Sequence, residues 1–203
     1  MGAEHPPDSN PRVRVQSVRV LSDNWYKLHA TTFDYLGDDG QWMSRTRETY
    51  DRGNGATILL YDVENCTVRL TSQFRYPVYV NGHPDGTLLE TAAGLLDEDD
   101  PETATRREAI EETRHEVGEL THVFDAFMSP GSVMERLHFY AAPYSSATKR
   151  TDGGGLADEG ENIAVVELDI DDALAMIENG RIADGKTIML LQLAVLRGPF
   201  ARG

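Results

Sequence analysis

A chain of 203 residues is longer than a typical single domain of about 100 to 150 residues and shorter than two, so one main domain with an accessory sheet or arm is expected. Hydrophobic residues at 40% and charged residues at 26% are enough for a sizeable core and set aside a disordered, collagenous or membrane-spanning chain. The 34 acidic against 19 basic side chains give a net charge of −15, which repels nucleic-acid phosphates and anionic lipid and favours divalent cations as partners.

Residues 1–11 carry three prolines and no apolar run, and read as a disordered start and not a secretory signal. From Arg12, RVRVQSVRVL places valines in two alternating runs broken at Gln16 and Ser17, the pattern of a strand with a bulge. Tyr26 to Phe33 and Arg45 to Tyr50 also read as extended, with GDDG (37–40) turning between them, so 12–50 should form a small antiparallel sheet. TILLY (57–61) and TVRLT (67–71) predict a hairpin that begins the main sheet. A helix should start with Asp99 or Asp100 as cap and Pro101 in its first turn, and run to about Val117 before Gly118. Strands are expected at 122–128, 136–142 and 163–169, and helices over about 171–179 and 186–196. The polar stretch 145–162, with three consecutive glycines, is long enough to be a functional loop. The order of elements implies an α/β fold with a mixed sheet flanked by helices.

Ten of the acidic residues fall between Asp97 and Glu119, against three arginines. On a helix, Glu108, Glu111 and Glu112 share one face, while Ile110, Thr113 and Val117 lie opposite and should form the core side. Like charges at these spacings repel, and a hard cation such as Mg²⁺ relieves the repulsion because it prefers carboxylate oxygens. The single Cys66 forms neither an internal disulfide nor a thiolate cage, which suits a cytoplasmic protein. His115, His122 and His138 show no metal-ligand spacing and read as structural, with His83 on a loop. GNG (53–55) and the triple glycine lack a phosphate-loop context.

The segment AAGLLDEDDPETATRREAIEETRHEVG (92–118) resembles the Nudix box, the glycine, carboxylate and REUxEExGU signature of the Nudix hydrolases, with U a bulky apolar residue. Arg107, Glu108, Glu111 and Glu112 match its core; Gly94 is one residue closer to the arginine than usual, Ala109 fills an apolar slot, and Arg114 stands where the pattern has glycine. LSDNWYKLH (21–29), YDRGNGATILLYD (50–62), QFRYPVYVNG (73–82), MSPGSVMERLHFY (128–140) and IADGKTIMLLQ (182–192) are similar to segments of the GDP-mannose pyrophosphatase branch, a relative of the ADP-ribose pyrophosphatases. Pro130, about fifteen residues beyond the box, matches a mark of nucleotide-sugar hydrolases.

This resemblance implies a Nudix α/β/α sandwich over 51–199, preceded by a small antiparallel sheet at 12–50 that serves dimerisation. It also implies Mg²⁺-dependent (Mn²⁺ as the alternative ion) hydrolysis of a nucleoside diphosphate sugar such as GDP-mannose to nucleoside monophosphate and sugar 1-phosphate. An ADP-ribose pyrophosphatase and a non-catalytic nucleotide-sugar sensor are the rival readings. The Ala93 carbonyl, Glu108 and Glu112 would bind metal, with Glu111 in support. Arg75, whose planar fork suits phosphate, would hold the diphosphate unless it is an ordinary surface ion pair. Gly94 and Leu95 would line the site by their backbone, and Glu135 is a further site carboxylate. Trp25, Thr46, Arg47 and Glu48 correspond to positions that meet the nucleotide or sugar, Trp25 by stacking on the base or else by core packing. Lys186 is a substrate contact or a surface lysine. Glu159 and Glu161, in LADEGEN, are candidates for the general base and a metal ligand, with the assignment between them open. The implied partners are the nucleotide sugar and a second copy of the chain, without nucleic acid or membrane.

Overall fold

The computed structural model describes residues 10–96, 99–113, 115–149 and 163–201. It divides into two compact units: the chain up to Asn54 together with Phe127–Arg136, and Gly55–Ala126 together with the chain from Leu137 onward.

The first unit is built on three strands, β1 (Val13–Asp23), β2 (Lys27–Leu36) and β3 (Trp42–Asp51), antiparallel in that order. The β1–β2 register shifts between Val15 and Ser17, where the valine alternation breaks, and again between Val20 and Ser22. Two residue pairs close the β2–β3 turn: the Gly37 amide donates to the Gln41 carbonyl at 2.9 Å and that of Gly40 to the Gly37 carbonyl at 3.1 Å, with Gly40 at φ 75°. Segment 127–136 joins β3 through a parallel bridge, in which the Tyr50 amide donates to Ser132 at 2.8 Å and the Met134 amide to Tyr50 at 3.0 Å. Among the described residues of this unit Ala30 is the one buried apolar side chain, and Val18, Val20, Trp42 and Met43 remain exposed.

The second unit holds, among the described residues, an eight-stranded mixed sheet. Its strands are β4 (Gly55–Asp62), β5 (Thr67–Phe74), β6 (Thr87–Glu90), β7 (Ala92–Leu95), β8 (His115–Val117), β9 (Thr121–Phe127), β10 (Arg136–Lys149) and β11 (Ala164–Asp169). The main path runs β11-β5-β4-β10-β8, with β6 on β5, β7 on β4 and β9 on β10. β4 and β10 pair in parallel from Leu137 with Gly55 to Pro143 with Tyr61. The helices are α1 (Tyr76–Val80), α2 (Pro101–Thr113), α3 (Ile170–Glu178) and α4 (Gly185–Leu196).

Residues 55–60 of β4 are all buried, as expected of a strand covered on both faces. Ala56, Ile58 and Leu60 pack in one cluster with Ala109 of α2, whereas Thr57, on the other face, reaches the threonines that hold α4. Strand alternation therefore puts α2 and α4 on opposite faces, making an α/β/α sandwich. Asp100 caps α2, accepting from the amides of Glu102 at 3.1 Å and Thr103 at 3.2 Å. Asp169 and Asp184 cap α3 and α4 in the same way.

Two expectations for the box helix need correcting. It ends at Thr113 and not near Val117, because residues 115–117 form β8 and Val117 pairs with Tyr144 of β10. Gly118 is thus no helix stop: its amide donates to the Pro143 carbonyl at 2.9 Å, and a Cβ there would stand 2.8 Å from the proline ring. Of the three side chains expected on the core side, Thr113 is buried and Val117 packs against the same core cluster from β8, but Ile110 is only half-buried beside an open recess with Asp100, Glu102 and Arg106; the buried face of α2 comprises Ala104, Thr105, Ala109, Glu112 and Thr113 and so takes in one of the carboxylates. Small residues let the helix lie close to β7 and β4, and that approach carries Glu112 inward with them.

Candidate active site

The second unit assembles two adjoining groups of charged side chains. β7 pairs antiparallel with β4, Thr57 opposite Ala93 and Ala56 opposite Gly94, and α2 packs against both strands. Glycine at 94 answers a close approach and not a turn: a Cβ there would overlap the Glu108 carboxylate, 2.5 Å from each of its oxygens. Arg107 grips this carboxylate from the side, donating to Glu108 Oε1 at 3.3 Å and also to Asp99. Burial works against the Arg107 charge, but Glu108, Asp99 and Glu111 hold the guanidinium protonated more firmly than usual. Glu112, one turn beyond Glu108, is 6% exposed with its Oε2 sealed from solvent, and Glu111 is half-buried.

Three residues before Ala93 lies Glu90, whose side chain is 4% exposed. Arg75, at the start of α1, meets it as a fork, Nε on Oε1 and Nη2 on Oε2, both at 2.9 Å. Lys186 of α4 adds Nζ to Oε2 at 2.7 Å and to Asp184 at 3.0 Å. Burial alone would raise the Glu90 pKa; the bonds and charges of Arg75 and Lys186 overcome it and lower the value to about 2. Thr57, Thr91 and Thr187, all at most 1% exposed, fix the backbone between Glu90 and Ala93. The Thr91 amide donates to Thr187 Oγ1 at 2.7 Å, the Thr57 and Thr91 hydroxyls lie 2.8 Å apart, and the Thr187 hydroxyl donates to Asp184 at 2.6 Å.

The second unit thus brings together Ala93, Gly94, Leu95, Glu108, Glu111 and Glu112, and separately joins Arg75 to Lys186. Trp25, Thr46, Arg47, Glu48 and Glu135 belong to the first unit. Trp25 is 86% exposed, so core packing is excluded for it within the chain. Thr46 pairs with Thr32 by both register and hydroxyl, 3.0 Å apart, and Arg47 and Glu48 are exposed on β3. Glu135 is nearly buried and lies 3.4 Å from Arg52 Nε. Glu159 and Glu161, like Arg114 and residues 1–9, lie outside the described residues.

Glu90 and the threonine cluster were not foreseen from the sequence. Glu90 interrupts the apolar TLLETAA, which was the available signal for a buried carboxylate. As a donor set, Glu108 and Glu112 offer carboxylate oxygens one turn apart, with a glycine making room for one of them; this suits a hard divalent cation with oxygen ligands.

These features define a hydrolase of the Nudix family, and the chain belongs to it: the NUDIX domain model matches residues 51–191, and that of the GDP-mannose pyrophosphatase NudK N-terminal domain matches 12–50. The chain is 56% identical over 188 residues to a GDP-mannose pyrophosphatase of Yersinia enterocolitica, covering 92% of this chain and 97% of that protein. It is 54% identical over 191 residues to a GDP-mannose pyrophosphatase of Pectobacterium atrosepticum, covering 94% and 98%. Among solved structures it shares the fold of an ADP compounds hydrolase, with a TM-score of 0.71 at 16% identity over 92% of this chain and 95% of that one.

Proposed function

We propose that this Nudix pyrophosphohydrolase cleaves GDP-mannose, or a close nucleoside diphosphate sugar, to a nucleoside monophosphate and a sugar 1-phosphate with Mg²⁺. The observation that carries the reading is the apposition of Gly94 with Glu108 beside the inward-facing Glu112, in a chain that matches two GDP-mannose pyrophosphatases along nearly its whole length. Glu108, Glu112 and the backbone of Ala93 would hold the ions. When bound, Mg²⁺ neutralises the diphosphate, polarises the attacked phosphorus and makes water a better nucleophile. Arg75 and Lys186 supply positive charge to the diphosphate, and Glu90 orients both. Gly94 and Leu95 contribute backbone to the wall of the site, and Glu111 supports the two ligands. Glu159 and Glu161 divide the remaining tasks, Glu159 taking the proton of the attacking water and Glu161 adding a metal ligand. Trp25, Thr46, Arg47, Glu48 and Glu135 recognise the base and sugar, within a homodimer in which residues 12–50 serve both copies. A cytoplasmic setting fits a chain with one, exposed cysteine.

The test is hydrolysis of GDP-mannose, ADP-ribose and ADP-glucose in Mg²⁺ by the purified chain and by Glu112→Gln. GDP-mannose should be the best substrate, and the variant should fold normally with kcat lower by at least about a hundredfold, roughly 3 kcal/mol of transition-state stabilisation. Preference for ADP-ribose would reassign the substrate, and near wild-type turnover by Glu112→Gln would remove this metal site from the reaction.

A further inference from the structure

Away from the box carboxylates, β9 and β10 bring three metal-binding side chain types to one point. His122 Nε2 and His138 Nδ1 each lie 2.8 Å from the same Asp125 oxygen, and the three ligand atoms are all within 4.8 Å of one another. Their side chains grade from 51% exposed at His122 through 35% at Asp125 to 10% at His138, so the group is anchored on one side and open to water on the other. No lysine or arginine among the described residues makes an ion pair with Asp125, which meets only the two imidazoles. Tyr140 lies edge-on to His122, their ring centres 5.3 Å apart, and backs the imidazole from β10.

We propose that His122, Asp125 and His138 form a second metal site, which takes a borderline divalent ion of the Zn²⁺ type and staples β9 to β10. Two imidazole nitrogens and one carboxylate are the donor set for Zn²⁺ and not for Mg²⁺, which prefers oxygen ligands. At metal–ligand distances near 2.0 Å, neighbouring corners of a tetrahedron are about 3.3 Å apart, so the two 2.8 Å contacts need open by only about half an ångström. Without metal, both imidazoles serve as hydrogen-bond donors to Asp125. To ligate, each neutral ring moves its single proton to the other nitrogen, Nδ1 in His122 and Nε2 in His138, freeing the lone pair that faces the site. Solvent supplies the fourth position. The sequence hid this group because His122 and His138 are sixteen residues apart and join only through strand pairing.

Calorimetric titration of the metal-stripped full chain with Zn²⁺ in saturating Mg²⁺, together with Co²⁺ absorption in the visible, tests the proposal. One Zn²⁺ should bind equally well to the wild type and to Glu112→Gln, whose defect lies at the box. His122→Ala, at a half-exposed position that the fold tolerates, should weaken binding by at least about tenfold and abolish the Co²⁺ bands. Asp125→Ala should do the same, with circular dichroism confirming that both variants fold. Binding that disappears with Glu112→Gln, or that survives unchanged in folded His122→Ala, overturns the proposal; neither result bears on hydrolysis.

Discussion

Alanine at residue 94 would add one methyl group where the Glu108 carboxylate now rests. The backbone there is in a conformation open to any residue, so Gly94→Ala should fold while forcing Glu108 aside. We expect the Mg²⁺ concentration for half-maximal activity to rise by about 10- to 100-fold, the range typical of disturbing what orients a metal ligand; an unchanged Mg²⁺ titration would mean that Glu108 has another way to reach the ion. Glu90 makes a different prediction, through its proton. Its folded pKa of about 2 lies below the ordinary 4.5, so ionised Glu90 contributes stability that is fully present above about pH 4.5 and is lost as pH falls towards 2. The contribution is of the order of 3 kcal/mol. In Glu90→Gln, unfolding midpoints measured across that window should fall less steeply with acid than in the wild type. The variant should also bind substrate less well, since Arg75 and Lys186 lose their common anchor.

Between elements, the clearest electrostatic joint is Arg69 of β5, whose Nε and Nη2 donate to Glu167 of β11 at 3.0 and 2.8 Å while its guanidinium lies 4.2 Å from the centre of the Tyr144 ring of β10. The Tyr144 hydroxyl donates to Glu167 at 2.9 Å and meets Thr67 at 2.6 Å, so one buried cation links three strands. Arg69→Ala should lower unfolding stability by about 1–3 kcal/mol in denaturant titrations and leave kcat per folded molecule unchanged. A fall in kcat at full folding would give this joint a catalytic task. Such joints are silent in sequence: Arg69 and Glu167 are 98 residues apart, as Glu90 and Lys186 are 96 apart. The carboxylate cluster on α2 was legible because its spacing is local, and the bulge in β1 because alternation fails at Gln16 and Ser17. The end of α2 was not, because long-range pairing of Val117 with Tyr144 decides it against a sequence that could have continued the helix. The inward turn of Glu112 was hidden for a related reason: hydrophobicity picks Ile110 for the core, while the small side chains of Ala104, Thr105 and Ala109 determine which face can approach the sheet.

At the scale of the whole molecule, the three-stranded unit buries one apolar side chain among its described residues and leaves valines, Trp42 and Met43 in solvent, too little core for a sheet of its length to stand alone. Homodimerisation through residues 12–50 would cover them. Light scattering should accordingly report twice the chain mass at assay concentrations, and Val20→Glu should shift the mass towards a single chain; a fully active monomer would dismiss the dimer. The order of strands in the larger sheet also bears on how the protein is made. One whole edge of β4, from Gly55 to Tyr61, pairs with residues 137–143, while β5 and β7 occupy the other edge. On the ribosome, this strand, buried from residue 55 to 60 in the finished fold, therefore waits until residues 137–143 have been made with that edge uncovered. The loop that must close is long and the pairing is parallel, two features that slow folding and expose a nascent chain to aggregation. The central pairing of the sheet thus cannot close before β10 has been made, and a translational stall upstream of Leu137 would prolong the exposure of the β4 edge.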